Sequence, residues 1–444
     1  MKQSHRKIQL TSFQIIITGF AVVILVGTLL LMLPFSTKGM QSAPFHDALF
    51  TATSAVCVTG LVVHDTATYW SVFGQAVILI LIQIGGMGVV TIAIAIAMIS
   101  GRRIGLMQRS TLQEAIAAPH VGGIVRLTGF IVKATALIEL TGAAIMSTVF
   151  CRELGFGKGL WYALFHSVSA FCNAGFDLMG YKATYSSLTS FAADPVINIT
   201  VMLLIIIGGI GFLTWEDLKT KKLHYREYRM QTKVILSVTA ILLLFPAIYF
   251  YFGEFGEMSG WERFWSALFQ SVTPRTAGFN TADIAGFTEA GILLVVILML
   301  IGGSPGSTAG GMKTTTVAVL ASSAIAVFRR NEDAHFFGRR ILKETVQSAA
   351  AVMLMYLSLF LAGGIVISRL EGLPVLDCLF ETASAIGTVG LTLGITPTLG
   401  RISRTILIFL MFIGRVGGMT LIFATVAGTR YHKSKLPQEK ITVG

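Results

Sequence analysis

The chain has 444 residues and a formal net charge of +12; 54% of its residues are hydrophobic and 13% are charged. With a mean hydropathy of +0.75, this composition excludes an ordinary soluble domain and indicates an integral membrane protein. No polar stretch is long enough for a separate soluble domain, and the four cysteines have neither zinc-ligand nor disulfide-framework spacing. We therefore expect the function to lie within the bilayer.

Eight apolar runs are long enough to span a membrane. They occupy residues 13–33, 72–99, 127–150, 196–214, 234–252, 291–328, 346–368 and 404–428. No small-residue cleavage signal follows the first run, so we expect a retained helix rather than a signal peptide. Only the sixth run is interrupted. Between the two runs of each consecutive pair lies a segment too short to cross the bilayer, which predicts a re-entrant helix.

These short segments share one sequence pattern. They read ALFTATSAVCVTG (48–60), ALFHSVSAFCNAG (163–175), ALFQSVTPRTAG (267–278) and CLFETASAIGTVG (378–390), and their final glycines are separated by 115, 103 and 112 residues. A second landmark follows each: IGGMG (84–88), IGGIG (207–211), IGGSPG (301–306) and IGRVG (413–417). The pattern predicts four repeats of helix, re-entrant helix and helix. We name them copies one to four, at residues 1–100, 101–218, 219–330 and 331–444.

Basic residues are distributed unevenly between the two predicted sides of the membrane. Of the 34 Lys and Arg residues, 22 fall on the side of both termini and 8 on the opposite side. Positively charged loops remain in the cytoplasm, so both termini are predicted to be cytoplasmic. This bias and attraction to anionic membrane lipids account for the positive charge, and no nucleic-acid partner is expected.

Each short segment ends in a tripeptide suited to cation coordination. A helix dipping toward the bilayer centre points its partly negative carboxyl end at the axis. Glycine then permits positive φ, so that carbonyl oxygens can replace an ion's hydration shell. The fourth segment, GTVG (387–390), resembles the start of the potassium-channel signature TVGYG. The predicted filter residues are Val58, Thr59, Gly60, Asn173, Ala174, Gly175, Thr276, Ala277, Gly278, Thr388, Val389 and Gly390.

The four filter glycines, the interrupted helix of copy three and the segment IGRVGGMT (413–420) resemble the Trk/Ktr/HKT superfamily of potassium transporters, most closely its bacterial Ktr membrane subunits. The resemblance covers essentially the whole chain. It implies an all-α integral membrane fold, with eight transmembrane helices and four re-entrant pore helices around one pseudo-fourfold pore. In plant relatives, serine at the first filter glycine accompanies sodium preference, so Gly60 favours potassium, K+, as the transported ion.

The resemblance also implies partners. These are a second copy of the chain, in a homodimer within the bacterial plasma membrane, and a cytosolic RCK-type regulatory ring (KtrA-like) that binds ATP or ADP. The loops at 219–233 and 329–343 and the tail from Arg430 are expected to dock this ring. Nucleotide is expected on the partner alone, because the glycines at 302–311 lack the phosphate-loop pattern. Sodium, Na+, is an activator in one interpretation, and the sequence leaves passive and sodium-coupled flux open.

The glycine-rich stretch IGGSPGSTAGGMKTTT (301–316) lies where the middle of a membrane helix is expected. Nonhelical backbone is tolerated at that depth only where it lines a water-filled cavity or is buried in protein. We expect a gate beneath the filter, with a fixed polar plug as the alternative. The predicted gate residues are Gly302, Gly303, Ser304, Pro305, Gly306, Ser307, Thr308, Gly310, Gly311 and Lys313.

Arg415 replaces a glycine of the second landmark. A buried arginine in a membrane is costly and by default functional. By resemblance, it is the arginine that sets an electrostatic barrier beneath the filter and completes the gate. A structural salt bridge to a carboxylate is the alternative.

Other polar residues occupy membrane depth or helix ends. One shared repeat position is polar in every copy, and its side chains are expected to hydrogen-bond the back of the filter or, at Glu381, to tune ion occupancy. Asp47 and Asp377 are expected to cap their helices rather than form an outer cation-attracting ring. Arg275 is expected to point away from the pore and to bind carbonyls or a carboxylate. The shared position holds Thr51, His166, Gln270 and Glu381, and the roles of Lys133 and Glu139 stay open.

An intramembrane enzyme is the alternative of another class. It would need paired acids, a Ser/His arrangement or a metal-ligand cluster at membrane depth. The sequence contains no such arrangement, and four similar copies argue against one asymmetric catalytic site. The sequence therefore favours potassium uptake through a gated pore, with a sodium-preferring or sodium/potassium-coupled transporter of the same fold as the alternative.

Overall fold

The computed structural model describes residues 11–100, 104–118, 122–222, 224–258 and 260–425. Within these ranges the chain is helical apart from short connections and one hairpin. The tail from Arg430, predicted to contact a regulator, lies outside the described residues. So do most of the basic residues predicted at the N-terminus.

Copies one and two each combine a long first helix, a pore helix and a second helix in two parts. Copy one comprises α1 (Ser12–Leu31), α2 (Phe45–Val56), α3 (Thr66–Tyr69), α4 (Val72–Met87) and α5 (Val89–Ile99). The connecting helix α6 (Leu106–Ala115) follows. Copy two comprises α7 (Ile124–Leu154), α8 (Phe156–Phe171), α9 (Pro195–Gly209) and α10 (Phe212–Lys221).

Copies three and four repeat the arrangement. Copy three comprises α11 (Met230–Gly253), α12 (Gly260–Val272), α13 (Glu289–Leu300) and α14 (Thr314–Phe328). An antiparallel hairpin of β1 (His335–Phe336) and β2 (Arg339–Arg340), in which His335 faces Arg340, leads into copy four. Copy four comprises α15 (Lys343–Glu371), α16 (Val375–Gly387), α17 (Arg401–Val416) and α18 (Gly418–Thr425). Short 3-10 helices lie at Pro34–Ser36, Met179–Tyr181, Thr189–Phe191, Tyr225–Glu227, Ile284–Gly286 and Thr396–Thr398.

The first helix of each copy is long and apolar enough to cross a membrane by itself. These helices are α1, α7, α11 and α15, with 20, 31, 24 and 29 residues. Three bent helix pairs bring the total to as many as seven spans in the part of the chain that the structure describes. The pair α13 and α14 consists of two shorter apolar helices separated by residues 301–313.

The second helix is broken in every copy, whereas the sequence predicted a break in copy three alone. The bends measure 98° between α4 and α5, 97° between α9 and α10, and 91° between α17 and α18. The prediction of continuous spans at 72–99, 196–214 and 404–428 was therefore wrong. The cause is the last glycine of each landmark, which has φ of 85° at Gly88, 93° at Gly211 and 89° at Gly417. A right-handed helix cannot continue through such a residue.

The pore helices α2, α8, α12 and α16 occupy the core. Each carries a phenylalanine at the same repeat position with 0% exposure, namely Phe50, Phe165, Phe269 and Phe380. Their carboxyl-terminal turns are rich in Ala, Ser and Thr and are buried. Small side chains allow the backbones of neighbouring helices to approach closely, so the four pore helices can meet around a common centre.

Candidate functional site

Each predicted filter tripeptide has the same unusual backbone. Its first residue has positive φ, and so does its final glycine. The φ angles are 50° at Val58, 56° at Asn173, 70° at Thr276 and 52° at Thr388, then 88° at Gly60, 69° at Gly175, 78° at Gly278 and 94° at Gly390. Positive φ is uncommon outside glycine and concentrates at functional sites. The predicted positive φ at the glycines is confirmed, but the sequence analysis missed the first residue of each tripeptide.

The four glycines form a closed ring. A Cβ added to Gly60 would lie 3.0 Å from the Cα of Gly175, the glycine of the next copy. The same relation joins Gly175 to Gly278 at 3.1 Å, Gly278 to Gly390 at 3.2 Å and Gly390 back to Gly60 at 3.0 Å. Each added Cβ would also lie between 2.2 and 2.8 Å from a backbone carbonyl oxygen of the next copy, and a real Cβ does not fit at these shorter distances. The four copies therefore meet in cyclic order at residues without side chains.

Hydroxyl side chains brace the filter backbone from behind. Ser54 Oγ accepts a hydrogen bond from the Gly60 N–H at 3.1 Å, and Ser384 Oγ accepts one from the Gly390 N–H at 3.0 Å. In the other two copies Ser169 and Thr273 donate to the carbonyl just past the filter glycine, at 2.7 and 2.6 Å. The sequence analysis missed these four residues, although they share one repeat position and each is Ser or Thr.

The polar position predicted from the sequence lies one helical turn before these Ser and Thr residues and is buried in all four copies. It holds Thr51, His166, Gln270 and Glu381. His166 Nε2 accepts a hydrogen bond from the Leu178 N–H at 3.2 Å, and Glu381 accepts one from the Thr396 hydroxyl at 2.7 Å. Both partners follow the filter, so these two side chains support the backbone behind it. The side-chain amide of Gln270 has no hydrogen-bond partner among the described residues.

The first glycine of the second landmark seats the second helix on the pore helix. A Cβ at Gly85, Gly208 or Gly414 would lie 2.0, 2.0 or 2.2 Å from a carbonyl oxygen of Val56, Phe171 or Ile386, respectively. Each of these carbonyls precedes its filter glycine by four residues. Glycine is therefore required for helix contact directly below the filter. In copy three the corresponding stretch is the interrupted segment at 301–316.

The segment at 301–316, the intramembrane loop, is bonded to copy two. The Phe212 N–H donates to the Gly306 carbonyl at 2.7 Å, and the Ser304 N–H donates to the Gly209 carbonyl at 3.0 Å. The buried Thr308 hydroxyl donates to the Phe171 carbonyl at 3.0 Å. These bonds satisfy nonhelical backbone that would otherwise be costly within a membrane.

The same loop contacts the filter of copy four. The Gly311 N–H donates to the Gly414 carbonyl at 3.0 Å. A Cβ at Gly310 would meet the Thr388 hydroxyl at 2.2 Å, and one at Gly311 would meet the Gly387 carbonyl at 2.7 Å. The loop therefore packs against the start of the fourth predicted filter strand.

Arg415 joins the loop to copy one. Its guanidinium donates to the Thr308 carbonyl and, in the opposite direction, to the carbonyls of Gly85 and Gly86, the last at 2.9 Å. No carboxylate pairs with it among the described residues, so the structure contains no salt bridge of the kind considered as its alternative role. Lys313 instead holds the loop internally, because its Nζ donates to the carbonyls of Ala309 at 2.8 Å and Gly310 at 3.2 Å.

Arg415 and Lys313 line one cavity of about 370 Å³. The loop residues Pro305 to Ser307 and the bend glycines Gly88 and Gly417 also border it. The cavity therefore adjoins both charged side chains and the broken second helices. Six of the predicted gate residues border this cavity, namely Pro305, Gly306, Ser307, Gly311, Lys313 and Arg415, whereas Gly302, Gly303, Ser304, Thr308 and Gly310 do not.

Glu139 and Arg275 are two of the buried charged residues that belong neither to the filter tripeptides nor to the loop. Glu139 accepts a hydrogen bond from Gln83 Nε2 at 3.3 Å and lies 3.9 Å from the Cys172 sulfur, which supplies the partner that the sequence did not identify. Arg275 turns away from the filter as predicted, but its Nη2 donates to the Thr239 hydroxyl on α11 at 3.2 Å rather than to a carbonyl or a carboxylate.

The predicted helix caps were wrong. Pro44 and Pro374 occupy the cap positions of α2 and α16, without a side-chain hydrogen bond. Asp47 instead pairs with Arg404 at 3.1 Å and His64 at 2.9 Å. The first turn still favours its negative charge. The ion pair of Asp47 with Arg404 links copy one to copy four at the amino-terminal end of the pore helix α2.

Asp177 lies two residues past the second filter glycine, outside the spanning helices. Burial raises the pKa of its carboxyl to about 7. The hydrogen bond from the Met179 N–H, at 2.8 Å, opposes this increase, and the neighbouring charge of Asp65 adds to it. Asp177 is therefore a titratable group just past the carboxyl-terminal end of the second predicted filter strand.

A membrane chain in which four pore helices end in one closed backbone ring is a transport protein. The family and the relatives that it matches are transporters rather than enzymes. The family TrkH, described as "Cation transport protein", matches residues 2–429. The chain belongs to this family.

Two relatives are 40% identical to this chain over nearly its whole length. "Potassium/sodium uptake protein NtpJ" of Enterococcus hirae covers 100% of this chain, which spans 99% of that protein. "Ktr system potassium uptake protein B" of Bacillus subtilis covers 98%, and 98% of that protein is matched. The crystal structure of the potassium transporter TrkH from Vibrio parahaemolyticus has a TM-score of 0.73 at 20% identity, over 97% of this chain and 88% of that one. At 20% identity, the match to this crystal structure supports the fold alone.

Proposed function

We propose that this chain is the pore of a potassium uptake system in the bacterial plasma membrane. The observation that carries the proposal is the ring of Gly60, Gly175, Gly278 and Gly390, each against the next copy. Four pore helices direct their carboxyl ends toward this ring. Their partial negative charges converge where a cation would lose its hydration shell. The four tripeptides that end in these glycines are the proposed filter.

Potassium is the proposed main ion. All four filter strands end in glycine, so no side chain restricts the backbone or adds a competing ligand. The names of both 40% identical relatives include potassium uptake, and that of the Enterococcus hirae protein also includes sodium. That name supports sodium as a second transported ion, and the proposal also includes sodium as an activator of uptake. Sodium-preferring or sodium/potassium-coupled transport on the same fold is the second candidate.

The proposed gate consists of the intramembrane loop and Arg415. The loop packs against Thr388 at the start of the fourth filter strand, and its glycines give it the backbone freedom to move. Arg415 joins the loop to the bend of copy one through Thr308 and Gly86. A positive guanidinium near the filter also repels a passing cation. The loop thus supplies a mechanical barrier, and Arg415 supplies an electrostatic one.

Partners complete the proposal. The chain is proposed to form a homodimer with eight spans in each copy and both termini in the cytoplasm. Regulation is assigned to a cytosolic RCK-type ring that binds ATP or ADP. Support comes from the basic residues concentrated on one side and from the word "system" in the name of the Bacillus subtilis relative. The hairpin β1–β2 and the segment around Tyr225–Glu227 lie in the loops proposed to dock the ring.

Reversal potentials of the purified chain in liposomes test the proposed function. With potassium concentrated on one side of the membrane and sodium on the other, we expect the reversal potential to follow the potassium gradient. Empty liposomes provide the baseline. A potential that follows sodium would favour the second candidate. Equal permeability to both ions, or uptake without any ion-dependent potential, would contradict a potassium-selective pore.

A further inference from the structure

A groove runs along the outside of copy two. Its apolar part, of about 530 Å³, lies between α7 and α9 and extends from Pro195 to Ile207 on α9. Leu137 borders both this part and a second pocket of about 440 Å³ toward the start of α7. The two pockets therefore adjoin at Leu137 and are together called the groove, and neither contains a residue of the filter or the intramembrane loop.

The second pocket is basic. Arg126 and Lys133 of α7 and Lys219 of α10 line it, with Phe130 between them. Lys219 Nζ lies 4.2 Å from the centre of the Phe130 ring. None of the three cations forms an ion pair among the described residues, because the nearby acids Glu216 and Asp217 pair with Arg229 instead. Three uncompensated positive charges thus surround one end of an apolar groove.

The depth of Lys133 distinguishes this pocket from an ordinary basic surface. The helix α7 has 31 residues and is therefore about 46 Å long, whereas the hydrocarbon core is about 30 Å thick. Its first turns, with Arg126, lie in the headgroup region. Lys133 is about 10 Å further along the helix, on an exposed face. A lysine at the edge of the hydrocarbon requires either a route to the headgroups or an anion.

We propose that this groove binds one anionic phospholipid of the adjoining leaflet. The phosphate contacts Arg126, Lys133 and Lys219, and one acyl chain follows the apolar part between α7 and α9. A lipid fits because it combines a phosphate and a long apolar chain in one molecule, in the same order as the two parts of the groove. The site does not depend on ion conduction by the pore.

Native mass spectrometry of the full chain tests this site. The protein is titrated in detergent with dioleoylphosphatidylglycerol or dioleoylphosphatidylcholine. We expect one phosphatidylglycerol to bind each chain in preference to phosphatidylcholine. In the double variant Lys133→Gln, Lys219→Gln its affinity should fall about thirtyfold, since each basic side chain near an anionic lipid contributes about fivefold. Leu137→Trp keeps the charges but fills the junction of the two pockets, and should also weaken binding.

The matched control is the double variant Arg330→Gln, Lys343→Gln. It removes two exposed cations that no described residue pairs, outside both pockets. This control should bind phosphatidylglycerol like the parent. Equal loss in the control, or unchanged binding in the Lys133 and Lys219 variant, would overturn the proposal. If the same variants weakened only the binding of inorganic phosphate, the groove would be a site for free phosphate. If they dissociated oligomers in lipid-free detergent, the groove would be an interface with a second copy. Either result would also overturn the proposal.

Discussion

The guanidinium of Arg415 donates a hydrogen bond to the Gly86 carbonyl at 2.9 Å while its other nitrogen holds the Thr308 carbonyl of the intramembrane loop. One side chain of copy four therefore joins the bend of copy one to the loop of copy three. Without Arg415, the loop loses its only described link to that bend through a charged side chain. We infer that this link keeps the loop beneath the filter.

Arg415→Gln should increase potassium flux. Glutamine is too short to reach both carbonyls and carries no charge, so the mechanical link and the electrostatic barrier are lost together. Tracer uptake into liposomes measures the flux. The control Arg401→Gln removes a charge from the exposed start of the same helix and should leave flux unchanged. A folded Arg415→Gln protein that conducts no faster than the parent would argue against this role.

Removal of residues 306–311 should also raise potassium flux. The deletion removes the bonds of Gly306, Thr308 and Gly311 to copies two and four, so the shortened loop can no longer cover the filter. Dependence on the cytosolic ring should decrease, whereas selectivity for potassium over sodium should persist because the filter is intact. Uptake assays with and without the ring measure both effects. If flux stays at the parent's level both with and without the ring, the loop is not the gate.

Gly390→Ser should lower the preference for potassium over sodium. Its φ of 94° disfavours a side chain, and a Cβ would lie 2.2 Å from the Thr59 carbonyl, so the ring must open. Gly60→Ser should act alike, because Gly60 completes the same ring. Gly394→Ser is the matched control: its φ is 90° but no atom lies within 4 Å of the added Cβ. Unchanged selectivity at both filter glycines would exclude them from the filter.

Ser54→Ala and Ser384→Ala should reduce both stability and selectivity. Each leaves the N–H of a filter glycine without its hydroxyl acceptor, which costs about 1–3 kcal/mol for a buried donor. Thermal unfolding in detergent and reversal potentials measure the two effects. Ser266→Ala on α12 is the control, because the buried Ser266 hydroxyl has no described partner and its removal should be neutral. Full potassium selectivity in both variants would show that the hydroxyls serve packing alone.

Asp177→Asn should change how stability depends on pH. The folded-state pKa of about 7 lies above the ordinary value of 3.8, so the folded chain retains a proton that the unfolded chain releases. The parent therefore loses stability as pH rises from about 4 to about 7, and the variant lacks this loss. Melting temperatures across this range measure the difference. Asp283→Asn, on an exposed turn, should follow the parent. Parallel curves for Asp177→Asn and the parent would contradict the assignment.

The sequence alone predicted the repeat, the family resemblance and the four glycines that have positive φ and contact one another in the structure. These depend on local requirements: a glycine for positive φ, and apolar runs of a length set by the bilayer. The spacing of Gly60, Gly175, Gly278 and Gly390 therefore identified one position in four copies. The same alignment contained the shared position of Ser54 and Ser384. The sequence did not distinguish a hydroxyl that hydrogen-bonds the filter backbone from any other small polar residue of a buried helix.

The partners of charged and buried groups required the tertiary structure. Glu139 contacts Gln83 and Asp47 contacts Arg404 across 56 and 357 residues of sequence, respectively. Arg415 reaches Gly86, 329 residues away. Such contacts depend on how four copies close around one axis, which no local pattern encodes. The bends at Gly88, Gly211 and Gly417 were missed for the same reason, because an apolar run favours a spanning helix whether or not one glycine within it adopts positive φ, and that choice depends on packing against the neighbouring copies.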